Sequence, residues 1–246
     1  MHTLQNDLRT GLAELGLDLD DARQAQLLAY VDLIAKWTKV YNLTAVRDAH
    51  EMLTHHLLDS LAVVLPLRRA LAEMRETQGS LTAGAEQDLA TQDAPFKLNN
   101  ESDGSGLHTS IRLLDVGAGA GLPGVVIAIT CPEVAVTCVD TVAKKAAFVQ
   151  QVAVSLKLPN LKGLHARVET LTEPYDVVCS RAFASLIDFT TWSRPALASH
   201  GVWLAMKGKH PDAELAALPP DVRVFHVEPL KVPGLDAERC IVWMRG

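Results

Sequence analysis

LLDVGAGAGLPG, Leu113 to Gly124, decides how this chain is read: an apolar run stops at Gly117, Gly119 and Gly121, and a second apolar run, GVVIAITC, follows. Glycine admits positive φ and lets the main chain approach a ligand closely. In an open parallel sheet the ligand lies beyond the carboxyl ends of the strands, where strand order reverses. The loop after the first strand is the usual place. The stretch therefore predicts a strand, a tight loop bare of side chains and a helix, with a small nucleotide-like cofactor as the ligand.

Working outward, seven segments read as strands: IRLLDV, VAVTCVD, LKGLHA, YDVVCS, GVWLAMK, VRVFHVE and ERCIVWMR. Helical patterns over 122–130, 143–156 and 185–198 separate the earlier ones. Strand–helix alternation predicts a mainly parallel sheet covered on both faces. The last two strands are joined only by VEPLKVPGLDAE, too short and turn-rich for a helical crossover. They are expected to form an antiparallel hairpin at the sheet edge. Upstream, Leu4, Leu8, Leu12 and Leu15 line one helical face, and Leu27, Val31, Ile34 and Trp37 or Thr38 line a second. Asp48 and Glu51 have the spacing of a capping box before Leu53, Leu57, Leu61 and Val64. The expected organisation is an N-terminal helical region (1–75), an acidic low-complexity insertion (76–108) and a cofactor-binding core (109–246), together one compact body.

Apolar residues make up 48% of the chain, which suffices for a sizeable core. The longest apolar runs are too short to span a membrane and the N-terminus lacks the form of a signal peptide, so a soluble cytoplasmic protein, expected to be a monomer, follows. Cys131, Cys138, Cys179 and Cys240 show no metal or disulfide spacing and read as reduced thiols. His55 and His56 are adjacent on a helix, point about 100° apart and cannot chelate one metal together; no metal site is expected. The net charge of −6 is local, because residues 73–106 alone carry −5. A basic patch on one face remains compatible with it.

GAGLPG also fits the dinucleotide pattern G-x-G-x-x-G. Pro123 inside it removes an amide that a pyrophosphate would use. Asp115, two residues before Gly117, suits a cofactor bearing an ammonium and a sulfonium, as in the loop of S-adenosylmethionine-dependent methyltransferases. Asp140 ends the second strand, where a carboxylate accepts ribose hydroxyls, or alternatively caps the next helix. After the third strand, Val168 and Glu169 of ARVE are placed to read an adenine edge; Arg167 and Glu169 could equally form a surface ion pair. Arg181 is the only charge in VVCSRAFASL, at the end of the fourth strand. That loop has neither the N-P-P-[YF] run of exocyclic-amine methylation nor a Pro-Cys nucleophile.

KWTKVYNLTAVRD, HHLLDSL, LLDVGAGAGLPGVVIAI, KKAAFVQQV, ARVE, SRAFASL and AMKG occur in this order. Together they closely resemble the RsmG (GidB) family of 16S ribosomal RNA guanine-N7 methyltransferases, over roughly residues 25–70 and 111–215. The resemblance implies a Rossmann-like class I methyltransferase fold and S-adenosylmethionine as cofactor. It implies 16S ribosomal RNA, or the small ribosomal subunit, as partner. By the same resemblance Gly117 and Leu122 line the cofactor, Val168 and Glu169 hold its adenosine part, and Arg181 completes the pocket; the loop reading adds Gly119 and Gly121, and Arg181 is also the candidate catalytic residue. Asp140 is added from its strand position. Asn42, Thr44, Arg47 and His56, with Lys207, are assigned to the substrate side. Lys36, Lys39 and Lys209 are further candidate phosphate contacts.

Guanine N7 carries a lone pair and no proton, so its methylation needs alignment and no strong base. Other readings predict other outcomes. A methyltransferase for a small molecule or protein would leave ribosomal RNA untouched, an NAD-linked oxidoreductase would bind NAD, and a cofactor-sensing RNA-binding module would not turn over.

Overall fold

The computed structural model describes residues 2–89 and 111–246. Five helices come first: α1 (His2–Glu14), α2 (Asp21–Tyr41), α3 (Ala49–Met52), α4 (Asp59–Leu61) and α5 (Val64–Leu89). A π-helical turn, Leu53–Leu58, joins α3 to α4. Asp20 caps α2 by accepting the Arg23 amide, and Asp48 caps α3 by accepting those of His50 and Glu51. Each carboxylate satisfies amides that the first helical turn leaves without partners. Helix α5 continues into the segment expected to be an insertion, as far as Leu89; residues 90–110 lie outside the described residues.

The remainder alternates strand and helix: β1 (Arg112–Val116), α6 (Gly124–Thr130), β2 (Ala135–Asp140), α7 (Ala143–Ser155), β3 (Leu161–His165), β4 (Tyr175–Arg181), α8 (Leu186–Ser193), β5 (Leu197–Lys207), α9 (Asp212–Ala216), β6 (Arg223–Leu230) and β7 (Arg239–Arg245). They build one seven-stranded sheet in the order β3-β2-β1-β4-β5-β7-β6. Strands β1 to β5 pair in parallel, while β7 is antiparallel to both β5 and β6. The hairpin does close the sheet, but its antiparallel strand lies one place in from the edge, and β6 is the edge strand.

Period-two alternation divides the core. Leu113, Val202, Leu204, Met206, Ile241 and Trp243 face one layer. Leu114, Val116, Trp203, Ala205, Val242 and Met244 face the other. Burial on both faces explains why these strands read as near-continuous apolar runs. The first layer also contains Leu8, Leu27, Ile34, Leu57 and Leu67, so the N-terminal helices share the core of the sheet, packed over α6 and α7. Three polar ties fix that docking. Tyr30 Oη donates to Ala120 O at 2.6 Å, Gln26 Nε2 to Leu156 O at 2.9 Å and Arg68 Nη2 to Thr130 O at 2.7 Å.

Tyr30 is completely buried, and burial pushes its hydroxyl pKa well above the ordinary 10, so it stays a neutral donor. Tyr30→Phe should lower the unfolding free energy by about 1–2 kcal/mol, because the Ala120 carbonyl loses its partner in a dry site. Urea unfolding midpoints check this; an unchanged midpoint would show that the bond adds nothing.

Candidate active site

Strand order reverses at β1, which lies between β2 and β4. The crevice expected at such a reversal opens beyond the carboxyl ends of these strands. A cavity of about 430 Å³ lies there, lined among others by Gly117, Asp140, Lys145, Val168, Glu169, Phe183 and Trp192. Its size suits a nucleoside-sized ligand. A larger cavity, about 660 Å³, opens at the opposite end of the sheet beside His200 and Arg245, away from the strand ends that bind ligands in this architecture.

The loop after β1 has φ of +65° at Gly117 and +60° at Gly119, a region that other residues enter only with strain. A Cβ on Gly117 would run into the Phe183 ring, whereas one on Gly119 would meet nothing closer than 4.0 Å. Gly117 is therefore required by packing as well as by conformation, and Gly119 presents bare main chain. Asp140 fastens this turn. Its Oδ2 accepts the Gly119 amide at 3.0 Å, and its Oδ1 accepts the Val142 amide at 2.8 Å, just ahead of α7. One carboxylate thus holds the loop and the residue just ahead of α7, while the N-cap position of that helix is Val142.

Asp115 lies beneath the loop. It is fully buried, is not among the residues lining the cavity, and accepts the Gly124 amide through Oδ2 at 2.8 Å. Its Oδ1 is buried without a hydrogen-bond partner. Burial raises its pKa from the ordinary 3.8 to about 7, against the lowering effects of the Gly124 amide and Arg181.

Val168 and Glu169 stand on the third side of the cavity, and Glu169 accepts from Arg167 at 2.8 Å, so the ion pair and the lining role coexist. The fourth side is Ala182, Phe183 and Trp192. Ala182 holds φ of +50°, a strained value for a residue with a Cβ. The Phe183 and Trp192 rings meet edge-on with centroids 5.9 Å apart.

Other sequence-selected residues stand elsewhere. Leu122 is buried, and Gly121 packs against Val125 and Val149; neither is among the cavity-lining residues. Arg181, also outside that set, donates Nη1 to Asp59 Oδ2 at 2.8 Å and to the His55 carbonyl at 3.0 Å. Arg239 donates to Asp59 Oδ1 at 3.0 Å, which makes the buried Asp59 carboxylate a clamp between α4, β4 and β7.

On the helical side, Arg47 donates to the Thr38 carbonyl at 2.9 Å and to Asn42 Oδ1. Asn42 takes the left-handed conformation that ends α2. Thr44 Oγ1 and His56 Nε2 are 2.6 Å apart, while burial and the nearby Arg181 hold the His56 pKa below its ordinary 6.5. These four residues gather at the turn after α2, bound to one another and to backbone. Lys207 points to Glu214 at 2.8 Å and to the Ala184 carbonyl at 3.3 Å, so its charge is already matched.

Sequence reasoning missed Tyr30, Asp59, Arg239, Phe183 and Trp192. Only Phe183 and Trp192 offered a signal, by following the fourth strand within a dozen residues. All four cysteines are buried and free, and the described residues include no group of three His, Cys, Asp or Glu able to hold a metal ion.

A protein-family model described as "rRNA small subunit methyltransferase G" matches residues 23–74 and 102–242. The chain is 64% identical over 241 residues to the protein named ribosomal RNA small subunit methyltransferase G of Polaromonas sp. strain JS666, covering 98% of this chain and 93% of that protein. It is 60% identical over 243 residues to the protein of that name from Acidovorax ebreus, covering 99% and 96%. Among solved structures it is similar to TrmN from Thermus thermophilus, with a TM-score of 0.45 and 18% identity, over 55% of this chain and 43% of that one.

Two outcomes follow from the buried carboxylates. Asp59→Ala leaves two partly buried guanidinium groups unmatched and should cost about 3 kcal/mol in urea unfolding; a loss under about 0.5 kcal/mol would refute the clamp. Asp115 has a folded-state pKa above its unfolded value. Its contribution to stability is therefore complete below about pH 4 and is lost as pH rises through about 7. Relative to wild type, Asp115→Asn should gain unfolding free energy steadily between about pH 4 and pH 7.5, and a pH-independent difference would contradict the raised pKa.

Proposed function

The chain belongs to the rRNA small subunit methyltransferase G family, and from that membership and the loop at the end of β1 we propose that it transfers a methyl group from S-adenosylmethionine to N7 of a guanine in 16S ribosomal RNA. The fold is the Rossmann-like class I methyltransferase sheet, with the helical region packed on one face. The observation that carries the reading is the bare turn at Gly117 and Gly119, fastened by Asp140 at the cavity.

The residues fit the cofactor. Asp115, buried beneath the loop and outside the cavity lining, supports the loop through the Gly124 amide. The cavity adds the Asp140 carboxylate toward hydroxyl groups and the Val168 and Glu169 wall toward a heterocycle. When bound, S-adenosylmethionine supplies an electrophilic methyl group on a positively charged sulfur.

The chain itself has to align the partners. Acceptor nitrogen and methyl carbon must be brought into line at roughly 3 Å, and geometric confinement of this kind supplies much of the rate. The acceptor nitrogen has no proton to lose, so no side chain has to act as base. Arg181, held by Asp59 beside the strained Ala182, fixes the turn that presents Phe183 over Gly117. We assign it a positioning role there, consistent with its place outside the cavity lining. Residues 76–108 are dispensable to the reaction in this reading, supported over 76–101 by the family model's lack of a match there.

The direct test is to map N7-methylguanine in 16S ribosomal RNA from cells with and without this protein, together with calorimetric titration of the purified chain. The expected result is one N7-methylguanine lost on deletion, with S-adenosylmethionine bound and NAD not. An unchanged methylation map, or binding of NAD alone, overturns the proposal.

A further inference from the structure

Helix α2 ends in a surface that the proposed reaction site does not use. Its last turns carry two large apolar side chains in solvent: Val40 is 72% exposed and Tyr41 42%. Tyr41 rests on Trp37, with ring centroids 5.1 Å apart and planes tilted by 36°. Lys36 and Lys39 are exposed among them and pair with no described carboxylate. From Leu33 to Asn42 the helix has no acidic residue.

The packing of α2 fixes where this surface points. Gln26, near the start of α2, reaches the end of α7 at Leu156. Trp37, near its end, packs on Phe148 at a centroid distance of 5.3 Å. The two helices therefore run in opposite directions, and the end of α2 lies beside the beginning of α7. That beginning carries Lys144, which is exposed, and Lys145, which lines the candidate cavity. Phe148 follows Lys144 and Lys145 by four and three residues, one helical turn, so Trp37 and Tyr41 sit about a turn from the cavity rim.

An exposed aromatic supported from behind by a second ring, flanked by unpaired lysines, is what a single-stranded nucleic acid needs: a face for a base and cations for its phosphates. A protein partner would not require the lysines to be free of acids. We infer that the Trp37–Tyr41 pair is a stacking platform for an unpaired base of the RNA, with Lys36, Lys39 and Lys144 holding the adjoining phosphates. It seats the strand next to the nucleotide that enters the cavity. This rests on the RNA methyltransferase reading above.

The experiment compares wild type, Tyr41→Ala, the double variant Lys36→Glu/Lys39→Glu, and Phe225→Ala. Phe225 is an equally exposed aromatic on β6, outside the candidate cavity though lining the larger one at the opposite end of the sheet, and serves as the control. Each protein is titrated with an in vitro transcript of 16S ribosomal RNA, with purified small ribosomal subunits lacking the methyl group, and with S-adenosylmethionine. Tyr41→Ala should weaken RNA binding roughly tenfold, the effect of removing the support of one stacked base. The lysine variant should lower the slope of log affinity against log salt by about 0.7 for each phosphate no longer held. Phe225→Ala should match wild type, and the affinity for S-adenosylmethionine should be the same in all four.

Wild-type RNA affinity retained by Tyr41→Ala and by the lysine variant overturns the platform while leaving the methyltransferase reading intact. Parallel loss of S-adenosylmethionine binding in Tyr41→Ala also overturns it, by making the residue structural. If wild type binds neither RNA nor subunit, the platform and the reading it rests on both fail.

Discussion

A main-chain turn without side chains cannot hold itself, because glycine has the most conformational freedom to lose on folding. In this protein the turn after β1 is held from three directions. Asp140 takes the Gly119 amide from the neighbouring strand end, Asp115 takes the Gly124 amide from below, and Tyr30 donates to the Ala120 carbonyl from the N-terminal helices. Each tie comes from a different part of the chain. The bare loop therefore keeps its shape only when sheet, α6 and the helical region are assembled together.

This explains why the N-terminal helices are not an appendage. They bury Leu27, Ile34 and Leu57 in the same layer as Leu113 and Val125, and Tyr30 reaches through that layer to the loop. The Asp59 clamp does the same from α4, joining Arg181 on β4 to Arg239 on β7. A buried carboxylate with two guanidinium partners adds little net stability over an apolar equivalent, but it discriminates strongly against misplacement of any one of the three elements. Because Arg181 immediately precedes Ala182, the clamp couples that alignment to the wall of the cavity.

The electrostatic design is uneven in a useful way. Carboxylates cluster around the loop, where a positively charged donor is expected, and one of them is held partly protonated near neutrality by burial. The exposed Lys36, Lys39 and Lys144 lie instead on the outer rim, whereas Lys145 pairs with Asp140 at the cavity. Carboxylates at the loop and exposed lysines on the rim suit two ligands of opposite charge meeting at one opening.

The sequence alone determined the strands, because seven apolar runs bounded by turn residues leave few alternatives. It also marked the glycine turn after β1, because three alternating glycines after a strand fit a tight main-chain loop. It marked Gly117, Asp140, Val168 and Glu169, which the fold brings to a single cavity, since the ends of adjacent parallel strands converge by topology. It could not determine which polar side chains are spent internally. Arg181, Arg47 and Lys207 read as cofactor or substrate contacts, yet each meets a partner across the fold or along a turn, at Asp59, at Asn42 and Thr38, and at Glu214. Nor could it locate β7 inside the hairpin's edge strand, or bring Tyr30 to the loop 90 residues away. Local periodicity reports which face of an element is buried; only the packed structure decides what that face meets, because long-range pairing leaves no period in the chain.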